Sequence, residues 1–237
     1  MNLKEDYENP KFTHIYVEKR VWSHPRTKEI LKRFPEARIV AIDHYKDVFN
    51  RRGQDALHQH RSQNLILARK EDHFFYEGAP VCQDFGNTNF YYCSTMMNCV
   101  FDCSYCYLKG MYPSGHMVIF VNLEDYFARL ERILAEKPMY LCISYDADLL
   151  AMETLVGYVR LWSDFAAAHD NLKIEIRTKS VGSAMWELPN LANVIYAFTL
   201  SPQRMIDLYE SGTPSVKARI ACALLGLEQG FAVRLCF

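Results

Sequence analysis

The 237-residue chain has no run of about 18 apolar residues, so it offers no membrane-spanning helix and no membrane partner is expected. Its start, MNLKEDYENPKFTHIY, lacks the basic opening, apolar middle and small-residue cleavage site of a secretory signal, which makes the cytoplasm the expected compartment. Internal repeats and low-complexity tracts are absent as well, which excludes a solenoid or a linker-like chain. Net charge is almost absent: 27 Lys+Arg meet 28 Asp+Glu, for a formal charge of -1. Only residues 1–70 lean basic, with 15 Lys+Arg against 9 Asp+Glu, and acids interrupt the bases there as on a solvated helical face.

What is present is an apolar half of the residues, enough for a sizeable core, and eight cysteines. In a reducing compartment these are not a disulfide framework. Cys222 and Cys236 read as small buried hydrophobes. Cys99, Cys103 and Cys106 are different, because NCVFDCSYCYLKG gathers them within eight positions.

The apolar pattern organises the rest. Residues 1–70 read as a strand (THIYVEK), a helix (PRTKEILKRF) and two further strands (ARIVAIDHY, NLILARK), a small α/β unit ending at a boundary near residue 80. The loop EGAPVCQDFGNTN follows, then NTNFYYCSTMMNC as a strand running into the cysteine cluster. Beyond it strands and helices alternate: MVIFVNL, EDYFARLERILAEK, MYLCISYD, one helix over 149–169, LKIEIRTKS, a short helix at SAMWELP, NVIYAFTLS, SVKARIACALLGLEQG and FAVRLCF. Such alternation predicts a parallel sheet, barrel-like or open, over residues 81–237. Its apolar last strand predicts an incomplete barrel, and so a fragment or an unusually short chain.

Three chemistries compete for the cysteine cluster. A redox dithiol at Cys103 and Cys106 leaves Cys99 without a task. A zinc site needs a fourth ligand, which Cys93 can supply, but zinc knuckles usually come as two separated pairs. An iron–sulfur cluster held by three thiolates uses the spacings of three and two residues to wrap three corners, leaving one iron open to a substrate or cofactor.

C-x3-C-x2-C with an aromatic before the last cysteine, here Cys99, Cys103, Tyr105 and Cys106, resembles the signature of the radical S-adenosylmethionine superfamily. That resemblance implies a partial parallel (β/α) barrel and a 4Fe–4S cluster whose open iron is chelated by S-adenosylmethionine. One electron, from a donor such as flavodoxin or ferredoxin, cleaves that cofactor to methionine and a 5′-deoxyadenosyl radical.

A narrower likeness lies in CSYCYLK, VNLEDYFARLERI, RTK at 177–179 and YESGTPSVKARIACALLGLEQGF, which over residues of about 75–237 resemble the spore photoproduct lyase family. It implies a lyase that reverses a thymine-dimer photolesion in DNA by hydrogen abstraction and carbon–carbon cleavage, with lesion-bearing DNA as partner. The alternatives are a family member acting on another substrate and a non-enzymatic zinc-binding module. The resemblance makes Cys99, Cys103 and Cys106 the cluster ligands, and Tyr105 and Tyr107 residues of the radical path, with Tyr105 also packing on the cofactor. It makes Lys179 the partner of the cofactor carboxylate and Thr199 and Ser201 small polar residues near it. Cys142 becomes the hydrogen donor, although in ungapped register Tyr145 takes that place. Strand alternation puts Cys142, Ser144 and Asp146 on one face, expected inward, and Tyr145 on the other.

Overall fold

The computed structural model describes residues 12–237; the first eleven residues of the expected N-terminal unit lie outside them. β1 (His14–Glu18), α1 (Pro25–Lys32), β2 (Arg38–Ile42), α2 (Lys46–Phe49), α3 (Ala56–Arg61) and β3 (Leu65–Ala68) open the chain. β4 (Phe75–Glu77), β5 (Phe90–Cys93), β6 (Met96–Met97), β7 (Asp102–Cys103) and α4 (Leu108–Met111) carry it through the cysteine cluster. Then follow β8 (Met117–Phe120), α5 (Leu123–Leu134), β9 (Met139–Cys142), α6 (Glu153–Val156), α7 (Tyr158–Ala167), β10 (Leu172–Thr178) and β11 (Val194–Thr199). A single-turn helix at Ser183–Glu187 connects the last two strands. α8 (Gln203–Tyr209), β12 (Glu210–Ser211), α9 (Val216–Glu228) and β13 (Ala232–Cys236) close it.

These elements form because their apolar residues follow the period each geometry requires. The runs LILA and MVIF are buried at every position, as strands of a parallel sheet covered on both faces must be. In α5, Leu123, Tyr126, Leu130 and Leu134 recur at helical spacing and are all buried, while Glu124 and Asp125 occupy its first turn, where acids suit the helix dipole. The helix expected over 149–169 is two helices. Gly157 at φ 63° ends α6, and the Glu153 carboxylate, which accepts from Val159 N at 2.7 Å and Arg160 N at 2.9 Å, starts α7.

The strands build a five-stranded sheet in the order β2-β1-β3-β8-β6 and a six-stranded sheet in the order β13-β11-β10-β9-β5-β4, parallel except where β6 and β4 join. β8 pairs with β3, Leu65 opposite Met117 through Ala68 opposite Phe120, so backbone bonds cross the boundary placed near residue 80. The sheets meet where β5 runs into β6: Phe120 N donates to Thr95 O at 3.0 Å, and Ser94 bridges Ser144. Strand ends from both sheets therefore converge around the cysteine cluster, the place where parallel α/β sheets put their sites.

No helix of the described residues is long and apolar enough to cross a membrane.

Candidate active site

The cluster loop is fixed before its cysteines begin. Asn98 takes a left-handed conformation at φ 65° and donates from its amide to Ser114 O at 2.7 Å and His116 O at 2.8 Å. Gln63 holds Cys99 O at 2.9 Å. Further on, β7 pairs antiparallel with β12, Cys103 opposite Glu210, and Ser104 N donates to Tyr209 O at 2.8 Å. The cysteine loop is thereby pinned to a segment more than a hundred positions away.

The loop borders a cavity of about 340 Å³ whose lining includes Cys99, Cys103 and Cys106. All eight cysteines are free. Burial pushes the Cys99 and Cys103 thiols up. Among the described residues no three His, Cys, Asp or Glu side chains gather closely enough to hold a single metal ion. Cys93, the fourth ligand of the zinc reading, is fully buried in the main core. Three soft thiols lining one cavity suit a polynuclear cluster, in which each thiolate takes its own iron; a tetrahedral zinc needs a fourth ligand, and Cys93 is not part of that lining.

Lys179, at the end of β10, brings a cation to the same corner. Its Nζ lies 3.4 Å from Cys103 Sγ, donates to the Tyr105 hydroxyl at 2.8 Å, and stands 3.3 Å from Glu210 Oε1. Burial works against that cation, but Tyr105, Cys103 and Glu210 outweigh it and its pKa is raised. Glu210 is itself enclosed. One carboxylate oxygen accepts from Tyr105 and from Ser201 at 2.8 Å, and the other from the fully buried Arg219 at 2.6 Å. Burial favours its neutral form, yet these donors and Lys179 bring its pKa down to about 2.

Asp148 ties this corner to the loop after β9. Its carboxylate accepts from Thr178 Oγ1 at 2.8 Å, Lys179 N at 2.7 Å and Ala151 N at 3.1 Å, which fixes the backbone that aims Lys179. Ser144 closes a reciprocal pair with Arg177, accepting from its N at 2.6 Å and donating to its O at 2.9 Å.

A second group of lining residues, Tyr107 and Tyr145, is aromatic. Tyr107 donates to Tyr145 O at 2.9 Å and lies 3.2 Å from Asp146, a buried carboxylate that also accepts from Ser94. The Tyr145 ring stacks on Tyr92 with centroids 4.3 Å apart, and its hydroxyl lies 3.8 Å from Cys82 Sγ.

Of the predicted residues, Tyr105, Tyr107, Ser144, Lys179 and Thr199 line the cavity with the three cysteines. Asp146 and Ser201 stand one layer back, each holding a tyrosine wall in place directly or through Glu210. Cys142 does not reach the cavity: it is fully buried against Phe90 and Tyr140, with Tyr92 and Tyr145 packed over it. The alternation argument fails because β9 stops at Cys142. Beyond that point the chain is no longer extended, so Ser144 and Tyr145 both border the cavity despite their adjacent positions. Sequence reasoning missed Glu210, Arg219, Asp148, Arg177 and Cys82. Glu210 stood inside YESGTPSVKAR, but nothing in that run shows that it meets Lys179.

The family model for spore photoproduct lyase matches residues 10–236. The chain belongs to the spore photoproduct lyase family. That membership makes it a radical S-adenosylmethionine lyase of spore photoproduct repair, with a 4Fe–4S cluster and S-adenosylmethionine as cofactors. Solved lyase structures share the fold. A spore photoproduct lyase complexed with dinucleoside spore photoproduct superposes with a TM-score of 0.82 at 20% identity, covering 96% of this chain and 68% of the other. A doubly substituted spore photoproduct lyase with bound AdoMet and dinucleoside spore photoproduct gives 0.81 at 20% identity, over 95% and 68%. No curated protein sequence matches the chain.

Proposed function

We propose that the 340 Å³ cavity holds S-adenosylmethionine against a cluster on Cys99, Cys103 and Cys106, and that its substrate is a thymine photolesion in DNA. The observation that carries this is the cation of Lys179 standing 3.4 Å from Cys103 Sγ, where it would partner the carboxylate of S-adenosylmethionine. When bound, these cofactors supply a 5′-deoxyadenosyl radical that abstracts hydrogen from substrate.

The chain's own residues bind, orient and return hydrogen. Lys179 takes the carboxylate, with Glu210 and Asp148 holding it in place. Thr199 and Ser144 contribute small polar contacts. Tyr105 packs beside the cofactor, and Tyr107 and Tyr145 face the reacting centre. Tyr145 would hand a hydrogen atom to the substrate radical after the bond breaks, and the phenoxyl radical left on it would take a hydrogen atom from the Cys82 thiol 3.8 Å behind its hydroxyl, the thiyl radical so formed being restored by hydrogen from the spent 5′-deoxyadenosine. Cys142 acts as a packing thiol, its pKa pushed up by burial to about 12. We read the six-stranded sheet as the partial barrel of the superfamily, residues 81–237 as the catalytic part and 1–80 as a small α/β unit joined to it; every residue of the cavity lining falls in the former. We place the protein in the cytoplasm, with flavodoxin or ferredoxin as electron source.

A related enzyme with another substrate is favoured by one observation, Tyr145 at the cavity in place of Cys142. Anaerobic reconstitution, iron and sulfide analysis, and turnover with a dinucleotide photoproduct decide the matter. Iron with acid-labile sulfide and repaired thymines are the expected result. 5′-Deoxyadenosine without repaired thymines sinks the substrate assignment, and zinc without sulfide sinks the radical chemistry.

A further inference from the structure

Charge is nearly balanced over the whole chain, but α5 and the segment after β3 enclose a depression where it is not. Its volume is about 360 Å³, and its lining holds four cations, Arg69, Lys70, Arg129 and Arg132, against two acids, Glu71 and Asp125. Both acids are already engaged. Asp125 accepts from Arg69 and from Asn122, each at 2.7 Å, and Glu71 pairs with Arg20, which lies outside the lining. Arg129 and Arg132 are exposed and make no hydrogen bond or ion pair among the described residues. Lys70 makes no ion pair either, its ammonium lying over the rings of Tyr76 and Phe120.

Helix periodicity makes this face. Asp125, Ala128, Arg129 and Arg132 recur at helical spacing on the side of α5 opposite the buried Leu123, Tyr126, Leu130 and Leu134. Arg69, held at Asp125, then Arg129 and Arg132 form a row along the helix, each about one turn, ~5 Å, from the next. The frame beneath them is rigid. Asn122 is buried, accepts from Lys70 N at 2.8 Å and donates to Lys70 O at 2.8 Å, which fastens the start of α5 to the segment after β3.

The depression communicates with the substrate cavity through stacked rings. Lys70 Nζ donates to the Tyr76 hydroxyl at 3.2 Å, Tyr76 stacks on Tyr92 with centroids 5.2 Å apart, and Tyr92 stacks on Tyr145, which lines the cavity. A DNA strand advances about 3.4 Å per nucleotide, so two ring spacings put the depression within a few nucleotides of a lesion in the cavity. A small free anion is held by donors converging on one point. Cations in a row, with the Phe74 ring in the same lining, suit instead a polymer of regularly spaced charges joined by apolar sugars.

We propose that this face of α5 and the segment after β3 form a phosphate-binding subsite for the DNA strand flanking the lesion, with Arg129 and Arg132 as its free cations and Arg69 shared with Asp125. The subsite carries no sequence preference, since it meets backbone and not bases. It sets where the strand runs while the cavity selects the lesion. The proposal rests on lesion-bearing DNA as the substrate.

The double variant Arg129→Gln/Arg132→Gln removes both free charges from exposed positions, and a thermal melt verifies that it folds. With holoenzyme and a duplex oligonucleotide carrying one photoproduct, it is expected to raise KM about tenfold or more and to reduce the salt dependence of binding by about two ions, one per lost phosphate contact. Turnover of the dinucleotide photoproduct, which is too short to reach the depression, stays at the wild-type rate. A control pair outside the lining, Lys32→Gln/Arg33→Gln, leaves both substrates unaffected. Wild-type oligonucleotide KM and salt dependence in the double variant, or an equal loss in the control pair, overturn the proposal. Failure of the wild-type holoenzyme to repair either substrate instead overturns the substrate assignment on which it rests.

Discussion

The two walls of the cavity are built from different interactions. On one side Lys179, Glu210 and Arg219 line up three charges, two cations around one anion, with the excess positive charge facing the cavity. On the other, Tyr107 and Tyr145 meet Asp146, Ser94 and Cys82 through hydroxyls and a thiol, and Tyr92 stacks behind. The first wall is suited to a ligand with a formal charge, because its spare cation is already held in position. The second is suited to neutral radicals, which need a donor of hydrogen and protection from water rather than a counter-ion.

Removing a proposed cluster thiol erases the distinction between the walls. Cys103→Ala is expected to abolish iron and sulfide retention and bring 5′-deoxyadenosine formation to background, measured after anaerobic reconstitution. Retention of a full cluster would show that Cys103 is not a ligand. Breaking the charged wall comes next. Arg219→Met leaves Glu210 buried without its interior partner and should cost about 3–5 kcal/mol in urea unfolding.

The same wall has a pH signature. The folded-state pKa of Glu210 is depressed from 4.5 to about 2, so its contribution is complete above the unfolded value and is lost as pH falls toward 2. Acid melts of wild type should fall steeply in that window and those of Glu210→Gln should not.

Lys179→Met keeps the stem and deletes the charge. A charged hydrogen bond contributes about 1.5–3 kcal/mol, so S-adenosylmethionine affinity in titration calorimetry should drop about 10- to 150-fold. Undiminished affinity would place the carboxylate elsewhere. The smallest effect belongs to the aromatic wall: Tyr107→Phe loses a neutral hydrogen bond, costs about 1 kcal/mol in unfolding, and leaves cofactor affinity unchanged. An affinity loss as large as that of Lys179→Met would collapse the contrast between the walls.

The charged and apolar parts of this design were unequally legible in the sequence. Runs such as MVIF and LILA announce buried strands because every position is apolar, and the structure buries all of them. α8 and the short α2 and α3 were missed, since four to seven mostly polar residues leave no periodic trace. The break at Gly157 was hidden because apolar residues continue through it. At the site, spacing pointed to the three cysteines and the family likeness to Lys179, and all four line one cavity. The partners of Lys179 were out of reach, because Glu210 and Asp148 arrive from elements whose meeting is decided by sheet order and not by spacing. Tyr145 was assigned to the wrong face because alternation was carried past the end of β9.

The pairing of β7 with β12 has one further consequence. Two residues of the cysteine loop hold a segment that begins at Glu210, so with Cys103 as the proposed iron ligand, iron uptake and retention of α8 against the body of the protein would be thermodynamically linked. Oxidative loss of iron then becomes a signal readable from outside: amide exchange and protease cutting should rise first around residues 203–213. Equal exchange there in iron-loaded and iron-free protein would show no such link. A damaged catalyst of this design would mark itself for removal before it unfolds.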